Sequence, residues 1–355
     1  MRRPTPLGLA ITASALVSLF AVESCGDSTP TQPSGPPSPA VTALATTSNS
    51  WSPIAAMPCC DGSAISVGVV PASTGPSKAY VFGGTNGAGH TGAPTRIYDV
   101  ATNTWSIPNN AQNNEVPVYG TNGVGNIGDK LYFTGGWSEH DAWIAAGTWV
   151  WDPATDTLIA RADMPLHTAE GVSGVIGGKL YVLPGICSGF GWPAKGFCET
   201  EPIRKLFRYN PTTNIWVTKA SAPHYHDRGA GGVINDKFYV AGGNSNLGSP
   251  TRALDVYDPA TNTWKSLASL PVALQPISGA VLRGQLYVAG GASGGVKAYA
   301  YNPTTDKWVS KAAPTYAGAS NSAAKVFLNG TSRLLMIIGA TVDNPDFNGS
   351  QIYTP

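Results

Sequence analysis

Charged side chains are scarce in this sequence, and their scarcity excludes several classes of protein. Asp, Glu, Lys and Arg together make up 12% of the 355 residues, about half of the roughly 25% that is usual in soluble domains. Lys and Arg number 22 against 21 acidic residues, and no basic run of helix length occurs. The chain therefore lacks the electrostatic footprint of a nucleic-acid-binding protein. Long surface helices are also disfavoured, because they draw on Glu, Lys and Arg.

The sequence also lacks an apolar run long enough for a mature membrane-spanning helix. The stretch from Leu7 to Val22 follows Arg2 and Arg3, but it is short and contains Ser and Thr, which is typical of a cleaved signal peptide. It ends in Val22–Cys25, whose letters Val-Glu-Ser-Cys resemble a bacterial lipoprotein cleavage box. The resemblance implies a signal peptide over residues 1–24 and lipidation of Cys25, with ordinary secretory cleavage as the alternative.

Either form of cleavage exports the protein, and residues 25–48 then form a tether. This segment is rich in Pro, Ser and Thr and has few side chains able to form a core. We therefore expect a protein of the bacterial cell envelope that contacts the membrane through a lipid anchor only. The folded part is expected over residues 49–355.

Cysteines are few, and their number fits export. Apart from Cys25, the chain has four cysteines, which allow three pairings: Cys59, Cys60, Cys187 and Cys198. Cys187 and Cys198 share one loop, so a local disulfide between them is the simplest prediction, and it would contribute ~3 kcal/mol. Cys59 and Cys60 would then form a vicinal disulfide, two free thiols or a more reactive group.

The chain does contain a repeat, whose clearest copy is Tyr257–Trp264, with the letters Tyr-Asp-Pro-Ala-Thr-Asn-Thr-Trp. Weaker copies follow the same pattern: Tyr98–Trp105, Trp151–Leu158, Tyr209–Trp216 and Tyr301–Trp308. Upstream of each copy, a β-rich run ends in a glycine pair such as Gly242–Gly243, or in a degraded form of one. A period of roughly 40–50 residues with two such markers predicts a radial array of small sheets.

The glycine pairs and their degraded forms number six: Gly83–Gly84, Gly135–Gly136, Pro184–Gly185, Gly242–Gly243, Gly290–Gly291 and Gly339–Ala340. With the spaced Tyr and Trp, this pattern resembles the kelch repeat, and the resemblance covers the chain from Trp51 to its end. It implies an all-β, six-bladed kelch β-propeller with four-stranded blades around a central channel. Pro184 and Leu158 depart from the pattern.

The two ends of the repeat region predict how the ring closes. The last blade has strand b near Leu334–Ile338 and strand c near Gln351–Tyr353, but no strand d follows. Trp51 precedes the first full blade and is interpreted as the missing strand d, so an N-terminal strand closes the last blade. The repeat tryptophans are then expected to pack between blades.

One face of such a propeller is predicted to carry most of the side chains that could bind a ligand or catalyse a reaction. We call the face formed by the d-to-a and b-to-c connections the loop face. All five histidines are predicted to lie there: His90, His140, His167, His224 and His226. The opposite connections are short turns such as Gly177–Lys179. Because function concentrates on loops held by a rigid scaffold, the ligand is expected at the loop face.

Candidate binding residues on the loop face fall into an aromatic and a polar group. Trp137, Trp143 and Trp192 are not explained by repeat packing; their rings suit sugars or protein hot spots, unless they cover the tops of blades. The polar candidates for ligand binding are His140, His224, Tyr225, Asp227 and Gln275. The segments before the first strands of four blades are expected to converge at the channel mouth, and they carry Tyr119, His167 with Glu170, His224–Arg228 and Gln275. His224 and His226 with Asp227 would also suit a divalent metal, whereas no cofactor is the primary expectation.

Two enzymes offer resemblances at this face. Galactose oxidase is a kelch-type propeller with a copper site, which Cys59 or Cys60, Tyr119 and Tyr225–His226 match only approximately, and its C-terminal domain is absent here. Exported kelch proteins also include sialic acid mutarotases, which imply acid–base roles for His167, Glu170 or His226, with Arg228 holding a sugar carboxylate. The primary prediction is a binding protein for a glycan or protein ligand, with a carbohydrate-active enzyme as the alternative.

Overall fold

The computed structural model describes residues 47–58, 65–70, 77–84, 94–108, 116–138, 143–187, 204–246, 248–291, 295–315, 321–338 and 349–355. Across these ranges the chain forms strands and turns without an α-helix. Six four-stranded antiparallel sheets make up the fold, and their first strands line a common central cavity. The predicted all-β, six-bladed propeller is therefore confirmed.

The strands follow one another from the channel outward in blades 1 to 3. Blade 1 contains β2 (Ile65–Val70), β3 (Lys78–Gly83), β4 (Arg96–Asp99) and β5 (Thr104–Ser106). Blade 2 contains β6 (Val124–Ile127), β7 (Lys130–Thr134), β10 (Thr148–Asp152) and β11 (Thr157–Arg161). Blade 3 contains β13 (Val172–Ile176), β14 (Lys179–Leu183), β16 (Lys205–Asn210) and β17 (Ile215–Ser221).

Blades 4 and 5 repeat this order, and blade 6 takes its outer strand from the N-terminal side. Blade 4 contains β18 (Ala230–Ile234), β19 (Lys237–Ala241), β20 (Leu254–Asp258) and β21 (Thr263–Ser266). Blade 5 contains β22 (Ile277–Leu282), β23 (Gln285–Gly290), β24 (Lys297–Asn302) and β25 (Lys307–Lys311). Blade 6 contains β26 (Asn321–Leu328), β27 (Thr331–Ile338), β28 (Gln351–Thr354) and β1 (Ser50–Pro53).

Two short additional sheets lie in the loop-face connections. One pairs β8 (Trp137–Ser138) with β9 (Trp143–Ile144), and the other pairs β12 (Thr168–Ala169) with β15 (Ile186–Cys187). The opposite face carries two-residue turns such as Asn235–Asp236, whose residues both have positive φ, at 48° and 57°. Such turns match the twist of the strands they join, which explains why this face is short and regular.

A repeated set of contacts, which we call the interblade clamp, joins five of the six blades to the blade before them. In blade 4, Asn262 Oδ1 accepts hydrogen bonds from Tyr257 Oη at 2.7 Å and from the Ala220 N–H of blade 3 at 3.2 Å. The indole Nε1 of Trp264 donates to the Ala220 carbonyl at 2.9 Å. The same clamp occurs at four other boundaries: Asn103 and Trp105 with Ala55, Asn214 and Trp216 with Ala162, Asp306 and Trp308 with Ala268, and Asn49 and Trp51 with Ala312.

The clamp explains what the repeated residues contribute to the fold. Asn262 has φ 55°, a left-handed conformation that Asn tolerates better than most residues. That conformation reverses the chain direction between strands c and d, and it places the side-chain carbonyl between two blades. The repeat tryptophans are half-buried, and each indole covers the blade boundary while its N–H is satisfied. The predicted packing of these tryptophans between blades is therefore confirmed.

The ring closes as the sequence predicts. Strand β1 pairs with β28 in antiparallel register, with Trp51 opposite Tyr353, and the two rings lie 5.1 Å apart. Asn49 Oδ1 accepts from Tyr353 Oη at 2.8 Å and from the Ala312 N–H at 2.9 Å. A clamp formed within one repeat elsewhere is thus assembled here from the first and last strands of the propeller.

The boundary between blades 1 and 2 is built differently. Leu158 replaces the tryptophan, so no indole N–H is available for a clamp, and Trp151 replaces the tyrosine. Trp151 is fully buried and lies 6.0 Å from Phe82, which stacks on Phe133 at 4.8 Å. Aromatic packing therefore replaces the indole hydrogen bond at this boundary.

Glycines in the first strands allow the blades to meet closely near the axis. A Cβ at Gly174 would lie 2.8 Å from the ring of Phe238, and one at Gly125 would lie 2.5 Å from a methyl group of Leu180. Both distances are shorter than side-chain packing permits, so these positions require glycine. The close approach keeps the central cavity small and its wall continuous.

We predict that Trp51→Ala lowers the free energy of unfolding by about 3–5 kcal/mol, because it removes a large aromatic contact at the closing strand. Urea unfolding followed by fluorescence measures the change. Ser48→Ala, at an exposed neighbouring position, is the control and should leave the midpoint unchanged. Equal unfolding midpoints for wild type and Trp51→Ala would contradict the closure.

Candidate functional site

The central cavity has a volume of about 440 Å³ and is lined by the first strands of all six blades. Its polar and charged lining is concentrated where these strands begin, on the loop face. We call this end the channel mouth, and its polar residues are Ser66, Thr121, Glu170, Ser173, Arg228, Ser278 and Ser322. Farther along the strands, the lining is mostly valine, alanine and glycine, with Asn126 and the exposed Lys325 as polar members.

A run of backbone hydrogen bonds connects four blades around the channel mouth. The Glu170 N–H donates to the Gly120 carbonyl at 2.9 Å, and the Arg228 N–H donates to the Glu170 carbonyl at 2.9 Å. The Ile277 N–H donates to the Arg228 carbonyl at 3.2 Å; the preceding Pro276 has no N–H to offer. Neighbouring blades therefore hold the segments that carry Glu170 and Arg228 in a fixed relation.

Glu170 and Arg228 both have left-handed backbones, with φ 57° and 54°. This conformation is uncommon for residues other than glycine and costs of order 1–3 kcal/mol each. Such conformations persist where the surrounding structure over-determines them, and they cluster at functional sites. Here the hydrogen bonds around the mouth hold both residues, and the left-handed turns direct both side chains to the cavity.

The side chains of Glu170 and Arg228 form an ion pair across blades 3 and 4. Arg228 Nε donates to Glu170 Oε2 at 2.6 Å, and 15% of the Glu170 side chain is exposed. Burial alone would lower the pKa of Arg228, but Glu170 and Asp227 raise it above its ordinary value. The guanidinium is therefore a permanent cation at the channel mouth, compensated by a carboxylate in direct contact.

Asp227 lies beside this pair, and only one of its two carboxylate oxygens accepts a hydrogen bond from a described residue. Its Oδ2 accepts from Asn244 Nδ2 at 3.0 Å, whereas its Oδ1 is buried and has no hydrogen-bond partner within the described ranges. Asn244 Nδ2 also reaches Gln275 Oε1 at 3.5 Å. Burial raises the pKa of Asp227 to about 6, with a further contribution from Glu170, while Asn244 and Arg228 oppose the change. A carboxyl group that titrates near neutrality beside a cavity is a candidate functional group.

The two histidines of this connection contact a different carboxylate. His226 is buried, with Nδ1 2.9 Å from the Gly242 carbonyl and Nε2 3.2 Å from Asp255 Oδ2. The half-exposed His224 has its Nδ1 3.0 Å from the same Asp255 oxygen. Both partners of the His226 ring, a carbonyl and a carboxylate, are hydrogen-bond acceptors. His224 and His226 thus contact Asp255, not Asp227, and anchor the connection before β18 to strand β20.

Asp255 itself is completely buried. Burial alone would raise the pKa of this carboxyl, but hydrogen bonds from His226 and Ser266 and the nearby His224 hold it below its ordinary value. Ser266 Oγ donates to Oδ1 at 2.8 Å. Asp255 is therefore an anion that the fold requires, and its hydrogen bonds point to a structural role.

The remaining described candidates lie around, and not in, the cavity. His167 Nδ1 donates to the Ile144 carbonyl at 2.9 Å and so anchors the hairpin of β8 and β9. Trp137 exchanges two backbone hydrogen bonds with Tyr119, at 2.7 and 3.0 Å. The Tyr225 ring lies 5.5 Å from the Arg204 guanidinium. Of the predicted residues, the structure places Glu170 and Arg228 in the cavity wall and Asp227 and Gln275 next to it.

Several predicted residues fall outside the described part of the chain. These are Cys25, Cys59, Cys60, His90, His140, Trp192 and Cys198. Trp143 lies in β9, and Cys187 is buried and disulfide-bonded, while its pairing with Cys198 stays a prediction.

Among the described residues no group of three or more His, Cys, Asp or Glu side chains is placed to hold a metal ion. Nor does that part of the chain contain a helix long and apolar enough to cross a membrane.

Sequence reasoning missed Asp255, Asn244 and Ser278. Asp255 stands two residues before the repeat tyrosine, a position that is aromatic in three other copies, so a comparison of repeat positions would have singled it out. Ser278 Oγ is buried without a hydrogen-bond partner in the wall of the cavity. No local pattern marks Asn244 or Ser278, because their significance depends on neighbouring blades.

We predict that Asp255→Asn lowers the free energy of unfolding by about 3–5 kcal/mol, because it leaves a buried imidazole without its carboxylate. The pKa of Asp255 is lowered on folding, so its stabilising contribution is present above pH 4 and is lost as the pH falls through the folded pKa. Urea unfolding at pH 7 and pH 3 measures both effects. Asp258→Asn on the same strand removes an exposed ion pair with Lys237 and should change little; equal losses in the two variants would refute the structural role.

Comparison with known proteins agrees with this architecture. A family model described as the kelch motif matches residues 228–271, which span the four strands of blade 4. A solved structure titled "Structure of YjhT" superposes with a TM-score of 0.62 at 17% identity, covering 84% of this chain and 95% of that one. At this identity the likeness concerns the fold alone, and no curated protein matches the sequence. The chain thus carries a kelch motif within a six-bladed β-propeller, as its repeats predict.

Proposed function

We propose that this protein binds a hydroxyl-rich ligand, a sugar unit of a glycan, at the channel mouth. The observation that carries the proposal is the Glu170–Arg228 pair in the wall of a cavity of about 440 Å³ that also contains the Ser278 hydroxyl, which has no partner among the described residues. That volume lies within the ~300–1,000 Å³ typical of small-molecule sites. The backbone hydrogen bonds around the mouth hold these groups in place before any ligand arrives.

The chemistry of the mouth suits sugar hydroxyls, which both donate and accept hydrogen bonds. Glu170 offers carboxylate oxygens as acceptors, while the terminal amino groups of Arg228 are donors that make no hydrogen bond within the described residues. Ser278 Oγ can do either. A buried hydroxyl without a partner is uncommon in folded proteins, and a ligand hydroxyl would satisfy it. A protein ligand, the other predicted class, would have to insert a side chain to use this cavity.

An acid–base enzyme acting on a sugar is the second candidate. Glu170 lines the cavity and could move a proton, and Asp227 has a pKa near 6. However, Asp227 is not part of the cavity wall, and His167 and His226 make their hydrogen bonds elsewhere. The mouth thus offers one carboxylate in an ion pair without a second acid or base opposite it. This arrangement favours binding, and the proposal requires no cofactor.

We predict that Arg228→Ala and Ser278→Ala each weaken glycan binding by about tenfold, because each removes a hydrogen bond to the ligand. A glycan array identifies the ligand, and isothermal titration calorimetry measures its affinity. Arg283→Ala, an exposed arginine in a turn of the opposite face, is the control and should bind normally. Unchanged affinity in both mouth variants would refute this site. Conversion of the bound sugar, followed by NMR and lost in Glu170→Gln, would instead favour the enzyme.

We further propose that the protein is exported and anchored at the bacterial cell envelope through Cys25. The proposal rests on the apolar stretch from Leu7 to Val22, the letters around Cys25 and the Pro-, Ser- and Thr-rich residues that follow. Such a tether would hold the loop face within reach of envelope glycans.

We predict that the full chain, produced in a bacterium given a radiolabelled fatty acid, incorporates the label and sediments with membranes. Cys25→Ser should abolish labelling, because the thiol that carries the lipid is absent. Cys187→Ser tests whether labelling depends on another cysteine and should retain the lipid. Release of an unlabelled wild-type protein into the medium or periplasm would favour ordinary secretory cleavage.

A further inference from the structure

The charged side chains at the channel mouth do not form a binding site for an anion, because acidic groups offset the positive charge of Arg228. Arg228 donates its Nε to Glu170 at 2.6 Å, and the Asp227 carboxyl also acts on the guanidinium. Among the described residues that line the cavity, the only other charged side chain is the exposed Lys325, which lies toward the opposite end. The charges of Glu170 and Arg228 therefore cancel, and Asp227, next to the cavity wall, adds −1 when it is ionised.

The groups at the mouth that remain available for hydrogen bonds to a ligand carry no uncompensated charge. Arg228 retains its terminal amino groups, but their positive charge is already compensated by Glu170. Ser278 contributes a free hydroxyl, and Ser66 and Thr121 contribute a hydroxyl pair 2.7 Å apart. A sugar hydroxyl can exchange hydrogen bonds with all of these groups, whereas a sugar carboxylate would meet Glu170 beside any contact with Arg228. Like charges in a partly desolvated site repel strongly.

From this geometry we infer that the mouth selects neutral sugars over sugars that carry a carboxylate, and that Glu170 and Asp227 are the specificity-determining residues. The inference rests on the proposed function and specifies its ligand class. It also reassigns Arg228, which the sequence suggested as the partner of a sugar carboxylate. In the structure its guanidinium contacts Glu170, and we assign its terminal amino groups to the hydroxyls of the sugar.

Ionisation of Asp227 should make the selection between neutral and acidic sugars depend on pH. The groups that face it are Glu170 from the connection before β13, Arg228 from its own connection and Asn244 from the loop after β19. His226 precedes it in the chain but directs both ring nitrogens elsewhere. Because burial raises the pKa of Asp227 to about 6, its negative charge appears between pH 5 and 7. The discrimination against carboxylates should therefore increase over this range.

The test uses matched pairs of sugars that differ in one carboxylate. Methyl α-glucopyranoside is compared with methyl α-glucopyranosiduronate, and the galactose pair is compared in the same way, by calorimetry or NMR titration at low salt. At pH 7 we expect the neutral member of the bound pair to bind at least about tenfold more tightly, as expected for one unscreened like charge nearby. Lowering the pH to 5 should reduce this ratio in the wild-type protein.

Variants test whether Glu170 and Asp227 cause the preference for neutral sugars. Glu170→Gln and Asp227→Asn each remove one negative charge with little change of shape, and each should reduce the neutral-to-acidic affinity ratio severalfold. The double variant should reduce the ratio most. Asp258→Asn, which removes the same charge from a strand end on the opposite face, is the matched control and should preserve the ratio. Thermal unfolding of every variant confirms that the fold is retained.

The outcomes separate this inference from the proposed function. Equal or tighter binding of the uronate by the wild-type protein would overturn the inference and leave glycan binding intact. An unchanged ratio in a folded double variant would overturn the roles of Glu170 and Asp227. Failure of both members of both pairs to bind, at concentrations up to tens of millimolar, would overturn the selection of simple sugars; failure of the glycan array as well would overturn the proposed function.

Discussion

The interblade clamp is the interaction on which the rest of the structure depends. One side-chain oxygen, such as Asn262 Oδ1, receives hydrogen bonds from its own blade and from the preceding one, and the nearby Trp264 indole binds the same alanine. Each blade alone would leave one face of its sheet exposed, because four strands cannot enclose a core. The clamp fixes how successive blades meet, and it therefore fixes where their first strands converge.

The channel mouth follows from this convergence. Six first strands begin close together on one face, and the segments before them are joined by hydrogen bonds from Gly120 through Glu170 and Arg228 to Ile277. The left-handed backbones of Glu170 and Arg228 are maintained by these neighbours, not by local preference. A charged pair and a free hydroxyl are thereby held at the rim of a cavity whose deeper wall is mostly apolar.

The fold could be predicted from sequence to a greater extent than the site. The Tyr, Asn and Trp of each repeat mark strands c and d, and their interactions are largely local, so six blades and the pairing of Trp51 with Tyr353 follow from counting. The convergence of Glu170, Arg228, Asp227 and Gln275 was expected, because all four precede first strands. Their partners were not: His224 and His226 contact Asp255 on strand c, and Arg228 is neutralised by a residue of another blade. Loop conformations outside the repeat decide such pairings, and no spacing in the sequence encodes them.

The closing strand also determines when the ring can form during synthesis. Strand β1 precedes all the other strands of the propeller, but its partner β28 comprises residues 351–354, so the two cannot pair until the other five blades have been synthesised. Contacts between such distant segments slow folding. In the interval β1 lacks its partner strand, and an unpaired strand is a template for association with other chains. The synthesis of β28 therefore ends a period of exposure that began with β1.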